Sequence, residues 1–273
     1  FGGWLNDYLP DEEVMNLIEY VDQVNMKFGA TDARYSTSTA EADLIRRKAI
    51  GYDLHLLDAS CKHLGTERNK EILIAQFEYL QQRIDLLCNT KVREIQPAGD
   101  EGYRLDTSKG EFACKYLVVA PGRSGAEWFS EQCHKLKLAL INNQVDIGVR
   151  VELPAIVFRE ITDAVYEAKL HYRTKQYKDP VRTFCMNPYG YVVTENTDGI
   201  ITVNGHSYTD PAMRSKNTNF ALLVSNKFTS PFREPYQYGK RIASLSNMLG
   251  GGVLVQRFGD LINGRRTNEH RLS

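Results

Sequence analysis

Cysteine is scarce in this 273-residue chain, and the five present, Cys61, Cys88, Cys114, Cys133 and Cys185, are odd in number and lie far apart without a C-x-x-C pair. That spacing argues against zinc, iron–sulfur and dithiol redox sites and predicts thiols held in a reducing cytoplasm. Long apolar runs are missing too: residues 116–120 and 220–224 are among the longest, far short of the roughly 20 residues that a membrane helix needs. No signal peptide opens the chain, so a soluble protein is expected. Net charge is absent, since 34 basic residues balance 34 acidic ones, and no overall field draws the chain to nucleic acid or to an anionic membrane. There is no internal repeat and no low-complexity tract. Methionine does not stand first; the chain runs from Phe1-Gly2-Gly3-Trp4 to a charged stretch at 265–271, which reads as a piece excised from a longer protein.

What is present is enough to build a core, with 42% hydrophobic residues. Val14, Leu17, Ile18, Val21 and Val24 recur at helical spacing behind Pro10-Asp11-Glu12-Glu13, with Gly29 as the stop. A second helix is expected over 40–49. A third follows Thr66 as its N-cap, with Ile72, Leu73, Phe77 and Leu80 on the buried side. From 84 to 120 the texture changes to short alternating runs broken at Pro97-Ala98-Gly99-Asp100 and Ser108-Lys109-Gly110, a β-meander. Its last run, Tyr116-Leu117-Val118-Val119-Ala120, reads as a fully buried strand. Pro121-Gly122 breaks it, and Ser124 with Glu127 forms a capping box for a helix to about 136. Beyond Asn143 the pattern is mostly strand-like, at 145–152, 169–174, 191–195, 200–205 and 220–224, with one more helix at 238–249 running into Gly250-Gly251-Gly252. The expected fold is α/β in the α+β sense. Two lobes are expected, residues 1–143 and a mainly β-sheet lobe at 144–273.

A helix, a strand, a meander with Gly102 and Gly110 at its turns, and then Leu117-Val118-Val119-Ala120-Pro121-Gly122 resemble the middle of two-dinucleotide-binding-domain flavoproteins. The stretches Val145-Asp146-Ile147-Gly148-Val149-Arg150-Val151-Glu152, Val181-Arg182-Thr183-Phe184-Cys185-Met186-Asn187-Pro188, Val203-Asn204-Gly205-His206-Ser207 and Asn217-Thr218-Asn219-Phe220-Ala221 resemble a family of FAD-dependent dehydrogenases. The resemblance covers nearly the whole chain. It implies that residues 1–143 are a partial FAD-binding-type lobe and that 144–273 hold a small-molecule substrate. It also implies that Gly122 and Arg123 lie near the dinucleotide. The Gly-x-Gly-x-x-Gly turn by which such proteins hold the FAD pyrophosphate is absent. Gly259-Asp260 is a decoy for their C-terminal Gly-Asp pair, because no small-residue helix follows it. The chain alone is therefore expected to carry little or no FAD.

The second lobe concentrates groups that donate and accept hydrogen bonds. Arg182 and His206 are the candidate catalytic residues, for binding an anionic group and moving a proton. Arg150, Asn187, Asn204 and Asn219 are the candidate substrate-binding residues. The structural alternative stays open for each: Asn-Gly and Asn-Pro make turns, and an arginine within a strand often serves an ion pair. Cys185 with His206 is either an activated thiolate pair or a small core residue and an unrelated imidazole. His63-Leu64-Gly65-Thr66 is either an anion-binding approach to a helix or a capped N-terminus. The rival to the oxidoreductase reading is a non-catalytic module that binds an anionic ligand.

Overall fold

The computed structural model describes residues 5–141, 143–229, 231–232 and 234–272. The chain has a mixed α/β fold in two compact units. Unit 1 takes Phe1–Arg83, Val145–Glu195 and Val203–Asn226, and unit 2 takes Ile84–Gln144, Asn196–Thr202 and Lys227–Ser273. The division into contiguous halves at 143 does not describe this packing. One unit change does fall there, but the first 83 residues pack with the strands that follow it.

Unit 1 begins with α1 (Asp11–Lys27), β1 (Arg34–Ser36), α2 (Ala40–Ile50), β2 (His55–Leu56), β3 (Ser60–Lys62) and α3 (Gly65–Gln81). Unit 2 opens with β4 (Val92–Pro97), β5 (Tyr103–Thr107), β6 (Gly110–Cys114) and α4 (Ala126–Lys135). The chain then returns to unit 1 with β7 (Val145–Pro154), α5 (Ala155–Val165), β8 (Leu170–Arg173), β9 (Pro180–Asn187) and β12 (Asn217–Asn226), while the hairpin of β10 (Tyr191–Thr197) and β11 (Ile200–His206) has its tip, Asn196–Thr202, in unit 2. It closes in unit 2 with α6 (Pro235–Gly250) and α7 (Phe258–Ile262).

The centre of unit 1 is an antiparallel five-stranded sheet in the order β2-β8-β9-β12-β7. The edge strand β2 comes from well before residue 143, so the sheet itself joins the two expected lobes. Alternation along β7 and β12 gives the sheet two unlike faces. Val151, Leu153, Phe220 and Leu222 meet Ala42 and Ile45 of α2 and Phe158, Ile161 and Val165 of α5, and the Phe158 and Phe220 rings stack at 5.1 Å. The other face carries Asp146, Arg150, Glu152, Asn217, Asn219 and Ser225, which hydrogen-bond to one another or to the strands beside them. α5 and β9 were not expected from the sequence. No element was assigned to 155–165, where Ala155, Phe158, Ile161, Thr162 and Val165 follow a helical stripe. β9 is broken by a bulge: Phe184 pairs with Ala221 and Asn187 with Asn219, so one extra residue is accommodated, and Cys185 sits at φ 47°.

In unit 2 the meander folds as expected into the sheet β4-β5-β6. The buried side chain of Gln132 on α4 accepts from the Ile95 amide at 3.0 Å, and Trp128 Nε1 donates to the Arg93 carbonyl at 3.0 Å. Helix α4 thereby satisfies the open edge of β4.

Three local expectations fail. Residues 116–120 are not a strand, and Val118 is 92% exposed, because an apolar run becomes a buried strand only when neighbours pair with it and cover it, and none of the described residues do. The capping box does not form: Gly125 takes the cap position, and the Glu127 carboxylate instead accepts from Lys240 at 2.9 Å and Gln237 at 3.1 Å. Thr66 is not the cap of α3, which starts at Gly65; the Thr66 amide donates to the Ser207 carbonyl at 2.9 Å. On the same helix Ile72 is buried, while Leu73, Phe77 and Leu80 are exposed, the first two along a shallow groove. Among the described residues, no helix is long and apolar enough to cross a membrane.

Candidate functional site

The polar face of the five-stranded sheet has two ends. At one, Arg182 of β9 reaches across β12. Its Nη1 and Nη2 donate to the two Asp146 carboxylate oxygens at 3.1 and 2.7 Å, and Nη1 also donates to Ser225 Oγ at 2.7 Å. This is a bidentate ion pair with its counter-charge built in. Burial opposes the charge on Asp146, yet the bonds from Arg182 and Ser225 outweigh it and hold the carboxyl below its ordinary value.

At the other end four expected residues converge. Arg150 Nη1 donates to Asn219 Oδ1 at 2.6 Å and to the Cys185 carbonyl at 3.2 Å, and Nη2 reaches Asn204 Oδ1 at 3.4 Å. Asn187 Nδ2 donates to the same Cys185 carbonyl at 2.7 Å and lies 3.5 Å from Asn219 Oδ1. The bulge at Cys185 turns this carbonyl toward both donors. Gly205 of β11 lies directly on the cluster: a Cβ there would come within 2.2 Å of Asn187 Nδ2 and 2.4 Å of both Arg150 Nη1 and Asn219 Oδ1. Only glycine allows that approach.

Two donors in this cluster are buried without a partner among the described residues, Arg150 Nε and Asn219 Nδ2. Each unsatisfied group costs on the order of 1–3 kcal/mol. Arg150 also has no carboxylate partner among the described residues, since its acceptors are a carbonyl and two amide oxygens. The cluster thus carries a positive charge and spare donors.

Beneath it lies a second network that the sequence reading missed. Ser207 Oγ donates to Asn187 Oδ1 at 3.3 Å and also meets His63 Nε2 at 2.9 Å and Tyr166 Oη at 3.2 Å. The Tyr166 ring packs between Tyr35 and His63, at centroid distances of 4.7 and 4.5 Å. Burial lowers the His63 pKa, partly offset by Glu167 and Glu67, and burial raises that of Tyr166. Glu67 accepts from the amides of Thr209 and Asp210 and from the Thr209 hydroxyl, which pins the loop after β11. The only local hint of this network was His63-Leu64-Gly65-Thr66, because its partner Ser207 lies 144 residues away.

The structure does not bring Arg182 and His206 together. Along β12 the Arg182 position, opposite Leu223, is four residues from the Asn187–Asn219 pair, about 13 Å at the rise of an antiparallel strand. His206 closes β11, and its carbonyl lies against Gly190. Among the described residues its side chain has neither a hydrogen bond nor an ion pair. Cys185 Sγ lies near Asn204 Oδ1 and Asn187 Nδ2, at 3.8 and 3.5 Å, and makes no recorded contact with His206.

Gly122 and Arg123 lie in unit 2, in the turn before α4. Gly122 has φ 67° and open space where a Cβ would stand. An FAD pyrophosphate needs several converging amides, whereas this turn offers one open glycine and no orphaned buried donor. The residues present do not fit the whole cofactor. Asp260 is buried and fully engaged, accepting from Thr267 and Arg271 and pairing with Arg265. Gly259-Asp260 therefore closes a C-terminal loop by ion pairing. Among the described residues, no group of three or more His, Cys, Asp or Glu side chains is arranged to hold a metal ion.

No protein-family model matches the chain. Over 224 residues, 74% of its length, it is 28% identical to an uncharacterized protein of Clostridium beijerinckii. The match covers 41% of that protein, so the chain corresponds to about two fifths of this relative's length.

Proposed function

We propose that the chain is the substrate-holding portion of a cytoplasmic FAD-dependent oxidoreductase acting on a small organic molecule. The observation that carries the substrate half of this reading is the Arg150 cluster, with a cation lacking a carboxylate and two buried donors lacking an acceptor. Such a site orients an electron-rich group and holds it out of water. The flavin half rests on the sequence resemblance, and the five free cysteines suit a reducing compartment. Arg150, Asn187, Asn204 and Asn219 bind the substrate in this reading. Arg182 serves the sheet, and His206 is the remaining candidate for moving a proton.

The second reading, a non-catalytic module for an anionic ligand, is favoured by the poor fit of the Gly122 turn to a dinucleotide. One experiment separates the two. A protein of the length of the Clostridium relative, carrying this sequence, is purified and its visible spectrum recorded. Bound flavin in one-to-one ratio supports the oxidoreductase, and a colourless protein that does not take up added FAD removes it. The 273-residue chain alone is expected to stay colourless, because a single helix end supplies about 1 kcal/mol where micromolar binding needs about 8.

A further inference from the structure

We infer that Arg150 binds the carboxylate of a small organic acid through the Nε–Nη2 edge of its guanidinium. This deepens the substrate reading above and rests on the same cluster. A guanidinium has a fixed planar fork, so it matters which of its edges the protein uses. The Nη1 corner is taken by Asn219 Oδ1 and the Cys185 carbonyl, at 2.6 and 3.2 Å. On the other edge Nη2 has only a long 3.4 Å approach to Asn204 Oδ1, and Nε has no partner among the described residues. Two nearly parallel donors on one edge match the two oxygens of a carboxylate.

Charge points the same way. A water molecule satisfies a donor but does not neutralise a half-buried cation, and a monoanion does both. A dianion fits less well, because two carboxylates stand close by. Glu195 accepts from Asn204 Nδ2 at 2.7 Å, and Glu152, directly opposite Asn219 in the β7–β12 register, accepts from Asn217 Nδ2 at 3.0 Å. The site therefore selects a planar monocarboxylate over phosphate. Entry requires movement, since Arg150 Nε is buried. Association is accordingly slow compared with an open site.

The test is a titration of the isotopically labelled chain with sodium acetate at constant ionic strength, following the Arg150 Nε–H resonance by NMR. Inorganic phosphate and chloride serve as the other arms. A saturable acetate shift of that resonance, with phosphate weaker, is the expected result. In Arg150→Lys, which keeps the charge and loses the fork, acetate affinity falls at least about tenfold. An unmoved resonance, equal affinity in Arg150→Lys, or tighter binding of phosphate overturns the inference. If Arg150→Lys fails to fold, the wild-type resonance decides alone. No flavin enters this experiment, so a colourless full-length protein leaves the carboxylate site standing, and a silent Arg150 in a flavin-containing protein leaves the oxidoreductase standing.

Discussion

Arg182 and Arg150 sit on the same face of the same sheet, and they solve the problem of a half-buried guanidinium in opposite ways. Arg182 has a carboxylate and a hydroxyl fitted to it. Among the described residues Arg150 bonds only to neutral oxygens, and its Nε has no partner. The first arrangement is complete within the sheet, so its stabilisation is local. The second is incomplete among the described residues, since Arg150 Nε and Asn219 Nδ2 have no acceptor there. Residue type and strand position did not distinguish the two; the partners did.

The largest expected effect breaks the Arg150 end alone. Gly205→Ala places a methyl within 2.4 Å of three polar atoms, and a loss of about 3 kcal/mol in urea unfolding is expected. A loss under about 1 kcal/mol would show that β11 does not rest on the cluster. Gly122→Ala is the contrast, because it meets open space and suffers only from φ 67°. Its cost is about 1 kcal/mol by the same measurement.

A double-mutant cycle of Arg182→Ala with Asp146→Ala sharpens the other end. Their side chains are 24% and 30% exposed, so solvent screening limits the coupling to about 1 kcal/mol. Zero coupling in unfolding experiments would remove the ion pair as a structural element.

The smallest effect is a pH dependence that separates the ends. The His63 pKa is lowered from 6.5 by burial, so the folded state holds the neutral ring. Its contribution is present above 6.5 and is lost as pH falls from there through the folded value. The Asp146 pKa lies below 3.8, so the pair it makes with Arg182 is complete above 3.8 and is lost only in stronger acid. In unfolding titrations, His63→Gln should flatten the slope below 6.5, and Asp146→Asn the slope below 3.8. A slope below 6.5 that persists in His63→Gln would assign that titration to another group.

Much of the fold was legible because it is local. α1 follows from its acidic start and apolar spacing, the meander from its glycine turns, β7 from its strand-like pattern and β12 from its apolar run at 220–224. α5 was missed because branched residues suit strands when seen singly, and only their spacing marks a helix. β9 was hidden by its bulge and by the polar residues that build the site. Arg150, Asn187, Asn204 and Asn219 were found from their chemistry and do converge. The ion pair of Arg182 was not legible, because Asp146 stands 36 residues away and nothing local announces it.

By itself the sequence determined the two faces of the sheet, since a strand's period of two sorts apolar from polar side chains wherever the strand is placed. It also determined the helices with clear spacing and the glycine turns, which depend on the backbone freedom of a few residues. The tertiary structure alone decided which arginine is neutralised, that Ser207 joins His63 and Tyr166, and that Tyr116 and Val118 lie open. Each of those depends on which distant segment arrives as a neighbour. A strand is buried only by what pairs with it, and a charge is satisfied only by what reaches it.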